Sequence, residues 1–341
     1  MSKAGIDKKG DEMNDNSIKN LVNLVIYAGV LICGMMPGLS LSESHAQDAV
    51  LGEEAAKTIP IADAHFHVMP YMGVQDLLGY MDRNGIRWAG GAGVLPNGPS
   101  VAEVAAALGK RFIPYTGQGQ WLTLKRTHGV AALENADSPE FKAALESMEQ
   151  ALRDSGARVI GEIHVNTLLS AANALVLHKV KADAPTLKAM FALAGKYKRP
   201  LNIHAQWDSD TAQEFARLAA SNRDARLILS HCGNFATPAD IRELFEKNPN
   251  VSCDLSFRSP PQLKSKGLAR TIYDNRRLDN GWKKLIEDYP DRFVVGVDDV
   301  HNWPDYDATV QAIRFGLLAN LRPDVAEKVA FKNAQAWFGL E

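Results

Sequence analysis

The sequence predicts a (β/α)8 barrel of the TIM type over its last ~280 residues. Three observations lead there. From residue 59 onward, short β-branched and apolar runs alternate with amphipathic segments of helical length. The alternation has the rhythm of strand-then-helix units of about 30 residues, from which parallel barrels are built. Polar residues of chemical interest stand at the far ends of the β-like runs, and a barrel gathers those ends at one mouth.

The elements follow in order, beginning with a leader. Residues 1–19 are polar and mixed in charge, Lys19 closes them, and an apolar run from Leu21 to Cys33 follows. Pro37-Gly38 and Ser44-His45-Ala46-Gln47 come next. A lysine, an apolar segment, a helix breaker and small residues at −3 and −1 predict a secretory signal cut after Ala46, with Met13 as an alternative start. The bulky Ile32 before Cys33 argues against lipoprotein processing. The competing reading is an uncleaved membrane anchor, since the apolar stretch with its flank approaches about 20 residues. Residues 1–46 are therefore expected to be a signal peptide or anchor, and 47–341 the barrel. Export predicts a periplasmic or secreted protein; anchoring predicts one held at the membrane and facing the periplasm.

The eight β-like runs are Pro60–Val68, Ile86–Val94, Arg111–Tyr115, Arg158–Val165, Pro200–His204, Arg226–His231, Val251–Leu255 and Arg292–Asp298. Helical segments are expected at Val74–Asn84, Ser100–Leu108, Ser138–Asp154, Ala184–Tyr197, Ser209–Ser221, Pro238–Lys247 and Gly281–Asp288, with Tyr306–Leu318 and Pro323–Phe338 closing the chain. Pro200, Asn222, Asn248 and Pro290 mark returns to strand. A doubly wound open sheet is the alternative, but it more often carries a Gly-rich phosphate turn after its first strand, and here that strand ends in histidine. The long basic connection Ser256–Asn280 is a candidate lid or substrate wall, or else a solvated loop.

Composition narrows the partners. A formal net charge of −2 over 341 residues shows no basic surplus, so no nucleic-acid partner is expected. The expected partner is a small-molecule substrate; a homo-oligomer is compatible, and a membrane enters only if the leader stays uncleaved. Cys232 and Cys253 fit neither a Cys-x-x-Cys pair nor a zinc ribbon, and read as buried thiols on neighbouring strands, with a disulfide as the lesser alternative.

The chemistry starts at Asp63-Ala64-His65-Phe66-His67. Strand residues two apart share a face, so both imidazoles aim one way and form half of a transition-metal site. Glu162 lies in the fourth β-like run, His204 ends the fifth, His231 the sixth and Asp298 the eighth. The intervals between them correspond to three, one, one and two β/α units of about 30 residues. By alternation, Glu162 and His164 face the barrel interior while Val159, Gly161, Ile163 and Val165 face the helices. In the eighth strand Gly296 and Asp298 face in, and Phe293, Val295 and Val297 face out. Asp63 and His164 are expected to orient ligands from behind, or to be satisfied core groups. Trp121, Trp207 and Trp303 follow strands three, five and eight as candidate mouth aromatics. Arg258 is a candidate partner for a substrate carboxylate, and His301 a candidate rim residue.

This constellation resembles the amidohydrolase superfamily. The run Lys332-Asn-Ala-Gln-Ala-Trp-Phe-Gly-Leu340 resembles the closing motif of its amidohydrolase-related branch, amidohydrolase family 2. So does the stretch from His231-Cys-Gly through Asn250-Val-Ser-Cys-Asp-Leu-Ser256. The likeness covers residues 59–341. Many members of that branch lack a strand-four ligand and hold one metal, while others in the superfamily bridge two with a carboxylated lysine. Glu162, in a Gly-Glu-Ile context, is similar to the bridging glutamate of the superfamily's metal-dependent DNases. The resemblance implies that His65, His67 and Asp298 hold one metal and His204 and His231 a second, with Glu162 between. With one metal it implies His65, His67, His204 and Asp298 as ligands and His231 as polariser of the substrate.

Imidazoles and carboxylates favour zinc over manganese or iron. A cation there lowers the pKa of its water towards about 7, and Asp298 is placed to accept the proton and return it. The expected function is a metal-dependent hydrolase acting on a small amide, ester or lactone. The alternative is a metal-dependent decarboxylase of an aromatic or unsaturated acid, against which Glu162 counts. A nuclease is disfavoured by Gln206 and the lack of basic surplus, and a non-catalytic binding barrel by the full ligand set.

Overall fold

The computed structural model describes residues 49–69, 72–91, 99–169, 174–259 and 271–341. The expected leader, the end of the second predicted strand and much of the Ser256–Asn280 connection lie outside the described residues.

Eight parallel strands form the barrel: β1 (Ile61–Phe66), β2 (Ile86–Gly91), β3 (Phe112–Gly117), β4 (Val159–Asn166), β5 (Leu201–Ala205), β6 (Leu227–Leu229), β7 (Val251–Asp254) and β8 (Phe293–Val294). Each pairs with the next in sequence order. The ring is closed between its first and last strands: Ala64 N donates to Val295 O at 2.9 Å and Asp298 N to His65 O at 2.6 Å. The predicted TIM-type fold is thus the observed one. Two strands are shorter than the apolar runs suggest. β6 stops at Leu229 because His231 and Cys232 take left-handed backbone angles (φ 57° and 49°). β8 is regular only to Val294, although the chain beyond it keeps bonding to β1 as far as Asp298.

The described helices are α1 (Glu53–Thr58), α2 (Val74–Arg83), α3 (Val101–Leu108), α4 (Gln118–His128), α5 (Pro139–Asp154), α6 (Pro185–Lys196), α7 (Ser209–Ser221), α8 (Pro238–Lys247), α9 (Asn280–Asp288), α10 (Trp303–Gln311), α11 (Pro323–Glu327) and α12 (Asn333–Phe338). Several of them start on side-chain caps. Ser100 and Glu103 form a reciprocal box before α3, and Thr237 and Asp240 do the same before α8. Ser138 caps α5 and Asp208 caps α7. Helix α4 is absent from the sequence expectation. Its apolar residues Trp121, Leu122 and Leu124 do not fall on one clean stripe, and Gly117 and Gly119 at its start read as loop.

Apolar packing occupies two layers. One lies between strands and helices. The other fills the lower barrel with Ala62, Ala64, Trp88, Ile113, Tyr115, Val159, Ile228 and Val294, sealed by Ala334, Trp337 and Phe338 of α12. Asn333 fixes that seal by donating to Pro290 O and Phe293 O at 2.8 Å each. The polar side chains of chemical interest lie in the upper barrel. Val159 corrects one expectation: it faces inward, not towards the helices. The pairing of β4 with β5 slips between Ile160 and Ile163, and that slip changes the parity on either side.

Beneath the barrel, buried Arg314 joins three segments. Its Nη1 donates to Ala56 O (2.5 Å) and Ile59 O (2.9 Å), and its Nη2 to Asn84 O (2.6 Å). Arg314→Met would leave these carbonyls without a donor, at about 1–3 kcal/mol for each one buried. Thermal unfolding should show a drop of at least about 5 °C in Tm with metal uptake unchanged. A shift under ~1 °C would reject this role.

Candidate metal centre

The upper barrel is lined by side chains from five strands. His65 leaves β1 where its pairing with β2 slips between Asp63 and Phe66. Gly296 lets the last strand press against it: a Cβ at 296 would stand 2.6 Å from the His65 Cβ. Glu162 and His164 come from β4 and His204 from β5. His231 sits on the turn after β6, and Asp298 follows β8. All of these are buried except His204, which is partly so.

Glu162 stands at the centre. Its Oε1 lies 2.8 Å from His204 Nδ1 and 3.3 Å from His231 Nε2. Its Oε2 lies 3.5 Å from His67 Nε2, 3.7 Å from His65 Nε2 and 3.4 Å from His164 Nε2. Asp298 faces it, with Oδ1 3.5 Å from His67 Nε2 and 3.7 Å from His65 Nε2, and Oδ2 3.5 Å from His231 Nε2. Among the described residues, three groups bring one donor atom from each member within 4.8 Å of one another: His65, His67 and Glu162; His65, His231 and Asp298; and Glu162, His204 and His231. The six residues that the sequence nominates as ligands therefore converge.

Two observations test whether a cation suits this space. His65 spends its Nδ1 on Asp254 at 3.1 Å, while its buried Nε2 has no hydrogen-bond partner. Ligand atoms around one zinc at 2.0–2.2 Å stand roughly 3.4 Å apart, close to the spacings found here. The donor set fits a divalent cation.

The electrostatics are those of a buried cluster. Burial opposes charge on the Glu162 carboxyl, but the imidazoles of His65, His164 and His204 outweigh it and hold the carboxyl well below its ordinary range. Burial works against charge on His65 too, and Asp254, Glu162 and Asp298 together push it well up. His67 and His231 are raised against the same desolvation by Glu162 and Asp298. Burial raises Asp298. His164 is pulled down to about 3, chiefly by burial, and stays neutral.

Several functional residues escape the sequence reading. Asp254, on β7, accepts from His231 N (3.0 Å) through Oδ1 and from Asn202 Nδ2 (3.3 Å) through Oδ2 while holding His65. Ser256 Oγ stands 2.9 Å from His231 Nδ1 and donates to Asp254 Oδ1 at 2.5 Å. Alternation in Val251-Ser-Cys-Asp254 is the available signal, since Ser252 and Asp254 share the face opposite Val251 and Cys253. Asn234 Nδ2 lies 3.4 Å from His204 Nε2. Asp63 is a satisfied core group, one of the two readings expected of it. It accepts from Val297 N (2.9 Å) and Tyr306 OH (3.4 Å), turned towards β8 and α10, and burial raises it to about 7. Cys232 and Cys253 are free, buried thiols.

The residues expected at a substrate are mostly elsewhere. Trp121 is buried in the helix layer and its Nε1 donates to His164 O at 2.9 Å, so it positions a strand instead of lining a mouth. Trp207 packs on Gly233 and edge-on to Phe215, beside a cleft between α7 and α8. Trp303 stacks on Tyr80 at 4.2 Å. Arg258 is fully buried, with Nη1 donating to His231 O (2.8 Å) and Gly233 O (3.2 Å). Residue type does not reveal these directions, because all four lie beyond the ends of regular strands. His301 is exposed on the loop between β8 and α10.

Known proteins share this architecture. A family model described as amidohydrolase matches residues 62–340. No curated protein matches the chain. An uncharacterized TIM-barrel protein from Bordetella bronchiseptica is 16% identical with a TM-score of 0.52, the match covering 82% of this chain and 99% of that one. A 2,6-dihydroxybenzoate decarboxylase in complex with 2,6-dihydroxybenzoate is 14% identical with a TM-score of 0.51, over 83% and 99%. A TatD homologue from Escherichia coli K12 is 13% identical with a TM-score of 0.52, over 82% and 98%. At such identities the likeness is one of fold.

Two predictions follow from the geometry. Asp254→Asn keeps the shape but removes the charge behind His65, and should weaken zinc binding about 10–100-fold in chelator competition, with folding intact. Binding within twofold of wild type would refute the support. His178 donates from Nε2 to His164 O at 2.8 Å, and burial lowers its pKa to about 4. Its folded value lies below the unfolded one of about 6.5, so its contribution is present above pH ~6.5 and lost as pH falls through ~4. Urea titrations at pH 7 and 4.5 should show His178→Gln losing less stability on acidification than wild type.

Proposed function

We propose a hydrolytic reaction for this chain, which belongs to the amidohydrolase family: a metal-activated water attacks a small amide, ester or lactone. The observation that carries the reading is the position of Glu162. One oxygen faces His204 and His231, and the other faces His65 and His67. A carboxylate shared in this way suits two cations better than one. In this reading His65, His67 and Asp298 hold one ion, His204 and His231 a second, and Glu162 lies between them. Zinc is the ion these donors favour. A divalent cation held here supplies Lewis acidity, which makes water a nucleophile at neutral pH and polarises the scissile carbonyl.

The protein's own groups do the remaining work. Asp298 Oδ2 takes the proton of the attacking water and returns it to the leaving group. Its position is set by its own N–H on His65 O and by Asp299 N, which donates to Oδ1 at 2.6 Å. His164 Nε2 stands 3.4 Å from Glu162 Oε2. The sealed lower barrel keeps the site open at one end only.

Elemental analysis of purified protein should find close to two zinc equivalents, and His65→Ala should lose metal together with at least ~10³-fold in activity. Lactones and N-acyl amino acids should be hydrolysed, and phosphodiesters should not. One equivalent of metal together with carbon dioxide release from aromatic acids would establish a decarboxylase instead.

A further inference from the structure

The turn that carries His231 has a second task. His231, Cys232 and Gly233 are consecutive residues in left-handed conformation, with φ of 57°, 49° and 65°. Two of them have side chains, for which this region is unfavourable, so the turn needs outside support. Arg258 supplies it by donating to the carbonyls at both ends. The reversal delivers Asn234 to the end of β5, where Trp207 N donates to Asn234 O at 2.8 Å. The side chain of Asn234, a residue only 1% exposed, is thereby held against His204.

As placed, the Asn234 amide meets His204 with its nitrogen. Nδ2 stands 3.4 Å from His204 Nε2, while the buried Oδ1 has no partner. His204 turns its other nitrogen, Nδ1, to the centre, 2.8 Å from Glu162 Oε1 and 3.1 Å from His231 Nε2. A neutral imidazole that offers the lone pair of Nδ1 to a cation carries its proton on Nε2. Two donors would then face each other. Amide oxygen and nitrogen are distinguished only by the hydrogen bonds they make, and a half-turn of the amide exchanges them. After that half-turn Oδ1 accepts from Nε2–H at the same separation.

The geometry points to Asn234 as a positioning residue that accepts the Nε2–H of His204 and so fixes the tautomer whose Nδ1 binds a cation. This inference rests on the metal-centre reading above. It also gives Arg258 a purpose, since the clamp on the turn holds the acceptor in place.

The test compares Asn234→Asp, Asn234→Ala and Asn234→Leu with wild type, each checked for folding by thermal melting. Zinc affinity is measured by chelator competition, and the histidine ring nitrogens are read by NMR of zinc-loaded, 15N-histidine-labelled protein. Aspartate can only accept, so Asn234→Asp should bind zinc within about threefold of wild type and keep the Nε2–H form of His204. Alanine and leucine should loosen one zinc by about 10–100-fold. The inference is overturned if alanine and leucine bind as tightly as wild type, or if aspartate is as weak as alanine. Wild type that takes up no zinc at all would overturn the metal-centre reading and this inference together. Zinc uptake that is unchanged in every variant would overturn this inference alone.

Discussion

A carboxylate with almost no access to water, ringed by imidazoles, is the constraint on which the upper barrel depends. Glu162 is buried, and an isolated charge so placed would be strongly unfavourable. Its neighbours His65, His67, His164, His204 and His231 approach from four strands and are held there by the barrel's closure. The charge is tolerable only when all of those strands are in place. Closure and site assembly are therefore one event, and the β1 to β8 hydrogen bonds that complete the ring also deliver Asp298.

Asp254 has the corresponding role in the layer below. Its carboxylate holds the His65 ring on one side and the His231 backbone on the other, so two histidines of the cluster from different strands share one anchor. Beneath it the interior becomes apolar, and α12 closes the floor. The barrel interior is thus layered: packing at the base, orientation of the imidazoles in the middle, and the candidate metal cluster above.

How much of this is legible in the sequence differs by layer. The eight-strand order and the six convergent residues can be read because apolar runs ending in His, Asp or Glu combine two independent signals. Val159 departs from expectation for a local reason. Strict alternation fails at a slip in pairing, and slips occur in β1 and β4, beside the ligands. Trp207 and Arg258 depart from it because loops beyond the strand ends obey no period at all, and Trp121 because it sits in a helix whose stripe is unclear in the sequence. Arg258 is instructive: a cation near a mouth suggests a substrate anion, yet its guanidinium is engaged by the carbonyls of an unfavourable turn. Asp254 shows the reverse case, a residue that alternation alone is able to find.

The depth of the charged cluster also decides which solution variables can reach it. Mobile salt ions screen charges over a Debye length of about 8 Å at physiological ionic strength, but only where solvent lies between those charges. The contacts of Glu162 and Asp254 with His65 and His231 are closed to solvent, so ionic strength has little purchase on their mutual attraction. Protons are different, because each competes directly for a ligand lone pair. For a barrel built this way, cation binding as proposed would depend little on salinity and closely on acidity.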